Sequence, residues 1–182
     1  ARLALDQLVE VRILAGQPFR SFRCKRAPAR PSAGLDHEDA MSAYDFIVVG
    51  ARCAGSPTAM LLARKGYRVL VVDRAHFPSD TISTHVLHPM GVAALNRWGL
   101  LDRLRATGCP PTDTYAFDFG AFTLSGSPGT PESPLAYCPR RTVLDKLLVD
   151  AASEAGAEVR EDYVVEDLVR DGDRVVGIQG RT

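Results

Sequence analysis

The residues best placed to do chemistry in this chain are Gly50, Gly55 and Asp73. The two glycines lie in a short turn after an apolar run. Asp73 ends a second apolar run at close to the spacing of about 20 residues that a dinucleotide-binding unit shows. Glycine permits a tight turn from strand to helix, a helix N-terminus offers free N–H groups to a pyrophosphate, and a carboxylate accepts from ribose. The pattern predicts a dinucleotide site, against the alternative of a structural βαβ unit that binds nothing.

Three elements must position these residues. The apolar, β-branched run Phe46–Val49 predicts a buried strand that ends at Gly50. A helical stretch follows and ends at Gly66, and residues 68–72 predict a second strand that leads into the acid. A strand, a helix and a second strand within about 30 residues indicate a parallel βαβ unit.

The turn departs from the usual G-x-G-x-x-G pattern because Arg52 replaces the middle glycine. That glycine normally lets the backbone approach a diphosphate closely, whereas an arginine side chain offers a bidentate phosphate clamp instead. Cys53 lies near a helix N-terminus, which is expected to lower the pKa of a thiol, although a small residue that fits the turn is the favoured interpretation. The candidate cofactor-binding residues of this turn are Gly50, Arg52, Cys53, Ala54 and Gly55.

The composition narrows the class of protein. The chain has 182 residues, of which 46% are hydrophobic, and its formal net charge is +0, so nothing favours nucleic acid or an anionic membrane as partner. No apolar run reaches the ~18 residues of a membrane span. The four cysteines lack metal-type spacing, and His85 and His88 have no evident third ligand, so no metal site is predicted. A cytoplasmic protein with reduced cysteines is expected.

The first forty residues differ from the rest. Six basic residues and no acid lie between positions 12 and 35, where prolines and a glycine interrupt any regular element. We predict that residues 1–40 are a disordered extension outside the fold, such as upstream sequence translated in frame, and a targeting peptide is the alternative. The domain is predicted to begin at Met41, a few residues before the first strand.

Further elements follow Asp73. An irregular polar stretch over 75–87 precedes two helices that end at Gly99 and Gly108. Residues 114–124 predict a strand pair around Gly120, and residues 164–178 predict a hairpin that turns at Asp171-Gly172. Between these strand pairs, a helix is predicted to begin at Thr142, with Thr142 and Asp145 spaced as in a capping box.

Three segments together resemble the N-terminal part of a flavoprotein of the aromatic-hydroxylase (group A flavoprotein monooxygenase) and geranylgeranyl-reductase superfamily. They are VVGARCAGSPTAMLLARKGYRVLVVDR, FPSDTISTHVLHPMGVAALNRWGLLDRL and the helix start Arg141-Thr142-Val143-Leu144. The resemblance implies an α/β fold, with a partial Rossmann-like FAD-binding domain over residues 41–182 and the start of a substrate-side β-sheet near residues 114–124.

The resemblance also implies site residues. Gly50, Arg52 and Gly55 would hold the pyrophosphate of FAD, Asp73 with Arg74 beside it the adenosine ribose, and Arg141 would contact FAD from its helix N-terminus. Residues 81–85 would approach the flavin ring, where a role for His85 is a hypothesis. No Ser-His-Asp or paired-carboxylate set is visible, so no catalytic residue is predicted, which suits a cofactor that carries the redox chemistry.

The expected function is the FAD-binding portion of a monooxygenase that uses NAD(P)H and O₂ on a small organic substrate. The alternatives are a reductase of isoprenoid double bonds, a non-catalytic nucleotide-binding module and an NAD-only dehydrogenase. In such flavoproteins a second FAD motif lies beyond the last residue of this chain. We therefore expect a fragment of a protein about twice as long, truncated at the C-terminus and inactive alone, whose oligomeric state the residues leave open.

Overall fold

The computed structural model describes residues 2–4, 44–131 and 133–182. The predicted extension over residues 1–40 lies outside the described residues except for residues 2–4. The helices are α1 Gly55–Ala63, α2 Pro89–Trp98, α3 Leu101–Ala106 and α4 Arg141–Glu154. The strands are β1 Arg2–Ala4, β2 Phe46–Val49, β3 Val69–Val72, β4 Pro111–Thr112, β5 Tyr115–Asp118, β6 Thr123–Gly126, β7 Ala136–Tyr137, β8 Glu158–Arg160, β9 Val164–Asp171 and β10 Arg174–Arg181.

A parallel sheet in the order β2-β3-β8 positions the predicted site. Every residue of the central strand β3 is buried, as a run of valine and leucine between two neighbours predicts. Strand β2 is only half-buried, and Val49 is 59% exposed. The prediction of a buried strand at Phe46–Val49 was wrong in this respect, because among the described residues β2 pairs on one side only, with β3.

The main core lies where helices α1 to α4 pack against this sheet and against one another. Ala59 on α1 and Ala152 on α4 are fully buried, and α1 packs closely on α4. Such small side chains let two helices approach, while Leu147 and Leu148 fill the space around them, each contributing about 1.5–3 kcal/mol by burial. Helix α4 is therefore held directly beside the turn that precedes α1.

The predicted strand pairs are both present. Strands β5 and β6 form an antiparallel hairpin around Gly120, which has φ +80°, and β9 pairs with β10 across a turn in which Gly172 has φ +58°. Strand β1 adds to the outer side of β10. Among the described residues, every helix is too short or too polar to span a bilayer.

Candidate dinucleotide-binding site

The turn between β2 and α1 closes only because two of its residues are glycine. Gly50 has φ +101°, in the region that side chains disfavour, and its N–H donates to the carbonyl of Val72 at 2.8 Å. Gly55 lies so close to the start of the turn that a Cβ atom there would be 1.7 Å from the carbonyl oxygen of Gly50. The first glycine supplies the conformation and the last one the close contact, as the spacing predicts.

The turn leaves hydrogen-bond donors free at the start of α1. In the described part of the chain, no acceptor on another residue receives the backbone N–H groups of residues 52–55. None of the described side chains caps the helix, and its first turn contains no acid. Ser56, which could have competed as a cap, instead donates its hydroxyl to the carbonyl of Ala51 at 2.7 Å. Free N–H groups and the positive end of a helix dipole attract an anion such as a phosphate.

The carboxylate of Asp73 lies at this same turn. Its Oδ2 accepts from the N–H of Ala51 at 2.7 Å, and its Oδ1 accepts from the N–H of Ala75 at 2.8 Å. The structure therefore brings together the acid and the glycine turn that the sequence placed at opposite ends of one βαβ unit. Arg74, the neighbouring candidate, has an exposed side chain.

The sequence suggested that the guanidinium of Arg52 is free to clamp a phosphate. In the structure this side chain instead points inward. Its Nη1 donates to Asp145 Oδ2 at 2.7 Å, and its Nη2 donates to the hydroxyl of Ser79 at 3.0 Å. The guanidinium also lies 5.3 Å from the ring centroid of Phe77. These contacts hold its plane, but they leave Nε without an acceptor among the described residues.

Arg141 reaches the same carboxylate from the first residue of α4. Its Nε and Nη2 both lie 3.0 Å from Asp145 Oδ1. The predicted capping box of Thr142 and Asp145 was wrong, because α4 begins at Arg141 and no side chain in the described part of the chain caps it. Asp145 is fully buried, and the signal that could have located its role is its i,i+4 spacing from Arg141.

The thiol of Cys53 contradicts a second expectation. The residue as a whole is exposed, yet its Sγ lies 3.3 Å from Asp145 Oδ1. Lost solvation, followed by repulsion from Asp145 and the hydrogen bond to it, raises the pKa of the Cys53 thiol from 9.0 to about 11. The lower pKa expected from the helix N-terminus was wrong, because lost solvation of the thiol and, after it, the nearby Asp145 carboxylate both raise the pKa.

We expect this thiol to stay protonated well above pH 9. The thiolate absorbance of the protein, minus that of Cys53→Ser, should titrate with a midpoint at about 11. Because the folded pKa exceeds the unfolded one, this group's contribution to stability is complete below pH 9.0 and is lost as pH rises through about 11. A midpoint below 9.0 would contradict the Asp145 contact.

Residues 80–83 and His85, which follow Ser79 along the chain, line an open cleft of about 510 Å³. His85 lies there with φ +58°, and its Nδ1 is buried without a hydrogen-bond partner in the described part of the chain. A buried polar atom of this kind gains from a partner on a bound molecule. His88 differs, because its Nδ1 lies 3.0 Å from the hydroxyl of Tyr115. The described residues contain no group of three side chains suited to a metal ion.

Comparisons with known proteins show the family to which the chain is similar. The profile of the family described as "FAD binding domain" matches residues 43–179. Menaquinone reductase of Mycolicibacterium smegmatis is 36% identical over 146 residues, which is 76% of this chain and 34% of that protein. Squalene monooxygenase of Eremothecium gossypii is 35% identical over 82 residues, which is 45% of this chain and 16% of that protein.

The solved structure of the myxobacterial chondrochloren halogenase CndH, a variant of FAD-dependent halogenases, is also similar. It superposes with a TM-score of 0.71 at 28% identity, covering 76% of this chain and 33% of that one. The chain thus spans about a third of the length of the relatives that match most of it.

Proposed function

Because this chain belongs to the FAD-binding domain family, we propose that its Gly50–Gly55 turn, Asp73 and Arg141 hold the ADP half of FAD. The family match confirms the predicted α/β fold class and the resemblance to FAD-dependent oxidoreductases. One observation carries the proposal. The turn is closed by glycines, presents successive N–H groups without an acceptor on any other described residue, and has the Asp73 carboxylate 2.7 Å from the N–H of Ala51.

The residues present fit the cofactor. A pyrophosphate needs several N–H donors and a close backbone approach, which residues 50–55 supply, so Gly50, Arg52, Cys53, Ala54 and Gly55 form its proposed site. Asp73 is the proposed acceptor for the ribose hydroxyls, with the exposed side chain of Arg74 beside it. Arg141 keeps Nη1 without an acceptor among the described residues and supplies a cation to the phosphates.

For the whole protein we propose a cytoplasmic FAD-dependent monooxygenase that acts on a small organic substrate. When bound, FAD supplies two-electron chemistry, taking a hydride from NAD(P)H and passing the electrons to O₂, of which one atom enters the substrate and the other leaves as water. The part of this chain is to bind and orient the cofactor. Over 82 matched residues the chain is 35% identical to a squalene monooxygenase, and this similarity supports the proposed monooxygenase activity.

A reductase is the second candidate, and a specific observation favours it. The match to menaquinone reductase covers 76% of this chain, whereas the match to squalene monooxygenase covers 45%. A reductase would transfer the same two electrons, with protons, to a carbon–carbon double bond of an isoprenoid-type substrate. The two candidates therefore share the cofactor site and differ in the final electron acceptor.

We expect the purified protein to bind FAD saturably, which quenching of flavin fluorescence and the visible absorption spectrum would both show. Gly126→Ala should bind FAD as the wild type does, because a Cβ at Gly126 meets nothing within 4 Å. A protein that takes up neither FAD nor ADP would disprove the proposal.

Turnover of the protein together with its remaining domains separates the candidates. Product formation that stops without O₂ supports the monooxygenase, and product formed anaerobically with NAD(P)H supports the reductase. FAD binding with no reduction by NADH or NADPH and no turnover would leave a non-catalytic nucleotide-binding module.

A further inference from the structure

Asp145 joins three side chains at the proposed pyrophosphate site. It is fully buried on α4, and its two oxygens accept from Arg52 and Arg141 and lie 3.3 Å or less from these guanidinium groups and the Cys53 thiol. Arg52 and Cys53 belong to the turn before α1, whereas Arg141 begins α4. One carboxylate therefore links the two segments that the proposed function assigns to the same phosphates.

A negative charge at this position is unfavourable for an anion site if charge alone is considered. A pyrophosphate is itself an anion, and a buried carboxylate nearby repels it because screening is weak inside a protein. The carboxylate also offsets one of the two arginine charges. If Asp145 favours binding, it must do so through an effect that outweighs this repulsion.

The geometry of the two arginines supplies such an effect. Arginine is a long side chain with a large rotamer entropy, and two guanidinium groups at close range repel each other. The shared carboxylate holds both of them, with side chains that are 28% exposed for Arg52 and 15% exposed for Arg141. The Nε of Arg52 and the Nη1 of Arg141 still have no acceptor in the described part of the chain, so both remain available to a ligand.

We propose that Asp145 is a positioning residue, which holds Arg52 and Arg141 as a preformed pair of guanidinium groups for the pyrophosphate. This inference rests on the proposed function of the same site. Asp145 itself does not contact the cofactor. The arrangement also explains how an arginine is accommodated at the middle-glycine position: its side chain is turned onto α4 and keeps clear of the N–H groups of the turn.

The two roles considered for Asp145, a charge effect and a positioning effect, predict opposite changes in ADP affinity for Asp145→Asn. If Asp145 acted only through its charge, the variant would gain one positive charge and bind ADP more tightly. If it positions the arginines, the variant binds ADP about 10- to 100-fold more weakly, by analogy with the loss of a partner that orients a metal ligand. Adenosine carries no phosphate, so its affinity should not change.

The experiment compares the dissociation constants of ADP and adenosine by competition with FAD, for the wild type and for Asp145→Asn. The matched control is Asp150→Asn on the same helix, where the carboxylate pairs with Lys146 at 2.5 Å and is half-exposed. A loss for ADP alone supports the proposal. Tighter ADP binding, unchanged binding, or equal losses for ADP and adenosine would each overturn it.

A second variant covers the case in which Asp145→Asn fails to fold. Asp145→Glu keeps the charge and moves the carboxylate by one methylene, so we expect the same loss for ADP alone. If both variants are unfolded even with saturating ADP, as judged by circular dichroism, Asp145 is a structural residue and the proposal fails. Failure of the proposed function is distinct, because the wild type would then bind neither ADP nor FAD.

Discussion

Gly55→Ala is expected to weaken FAD binding about 100-fold and to destabilise the whole domain. A Cβ atom at this position would lie 1.7 Å from the carbonyl oxygen of Gly50 and 3.1 Å from Cγ1 of Val48. Both neighbours belong to β2 and its turn, so the helix has to move away from the strand. Overpacking of this kind costs about 3 kcal/mol, and an equal loss in binding lowers the affinity about 100-fold.

Thermal unfolding and FAD titration measure these two effects. The control is Gly126→Ala, at a glycine with open space around its Cβ position and an exposed place on β6, and it should match the wild type in both measurements. A Gly55→Ala variant with wild-type stability and wild-type FAD affinity would show that α1 does not approach β2 as closely as the structure has it.

The elements predicted from sequence are those that local patterns specify. The βαβ unit around Asp73 combines strand propensity, a helix of small and apolar residues and turn glycines within about 30 residues. The same holds for the helix that ends at Gly99, which takes φ +76° as its C-cap, and for both hairpins. In each case the residues that determine an element lie in that element or in the next one along the chain.

The features that the sequence did not predict depend on contacts between distant residues. The pair of Arg52 and Asp145 joins positions 93 residues apart, so no spacing rule relates them. The raised pKa of the Cys53 thiol follows from burial first and from that same carboxylate second, and the helix N-terminus alone predicts the opposite direction. The exposure of Val49 likewise depends on which strands flank β2, which the alternation of its own residues does not reveal.

Two separate segments of the chain determine the position of Arg52 in the site. The turn sequence determines where the backbone of Arg52 lies, and helix α4 determines where its guanidinium points, through Asp145. The glycine that usually occupies this position needs no such second segment. A substitution on α4 is therefore expected to change how the turn before α1 binds phosphate, although the two segments are far apart in sequence.

Asp73→Asn is expected to weaken FAD and ADP binding about 10- to 100-fold, since a hydrogen bond to a charged group contributes about 1.5–3 kcal/mol. The carboxylate is buried, and both its oxygens accept from backbone N–H groups, those of Ala51 and Ala75. Asparagine replaces one acceptor with an NH₂ group that faces an N–H donor, which adds a stability loss of about 1–3 kcal/mol. Asp171→Asn, at the exposed last residue of β9, is the matched control.

An ADP analogue without the two ribose hydroxyls isolates the sugar contact from this stability loss. If Asp73 accepts from the ribose, the wild type binds ADP more tightly than the analogue, whereas Asp73→Asn binds both with nearly equal affinity, because the carboxylate and the hydroxyls act as one interacting pair. A merely weakened fold would lower both affinities and keep their ratio. A ratio that is the same in variant and wild type would therefore remove Asp73 from the sugar site, even if FAD itself still binds at the Gly50–Gly55 turn.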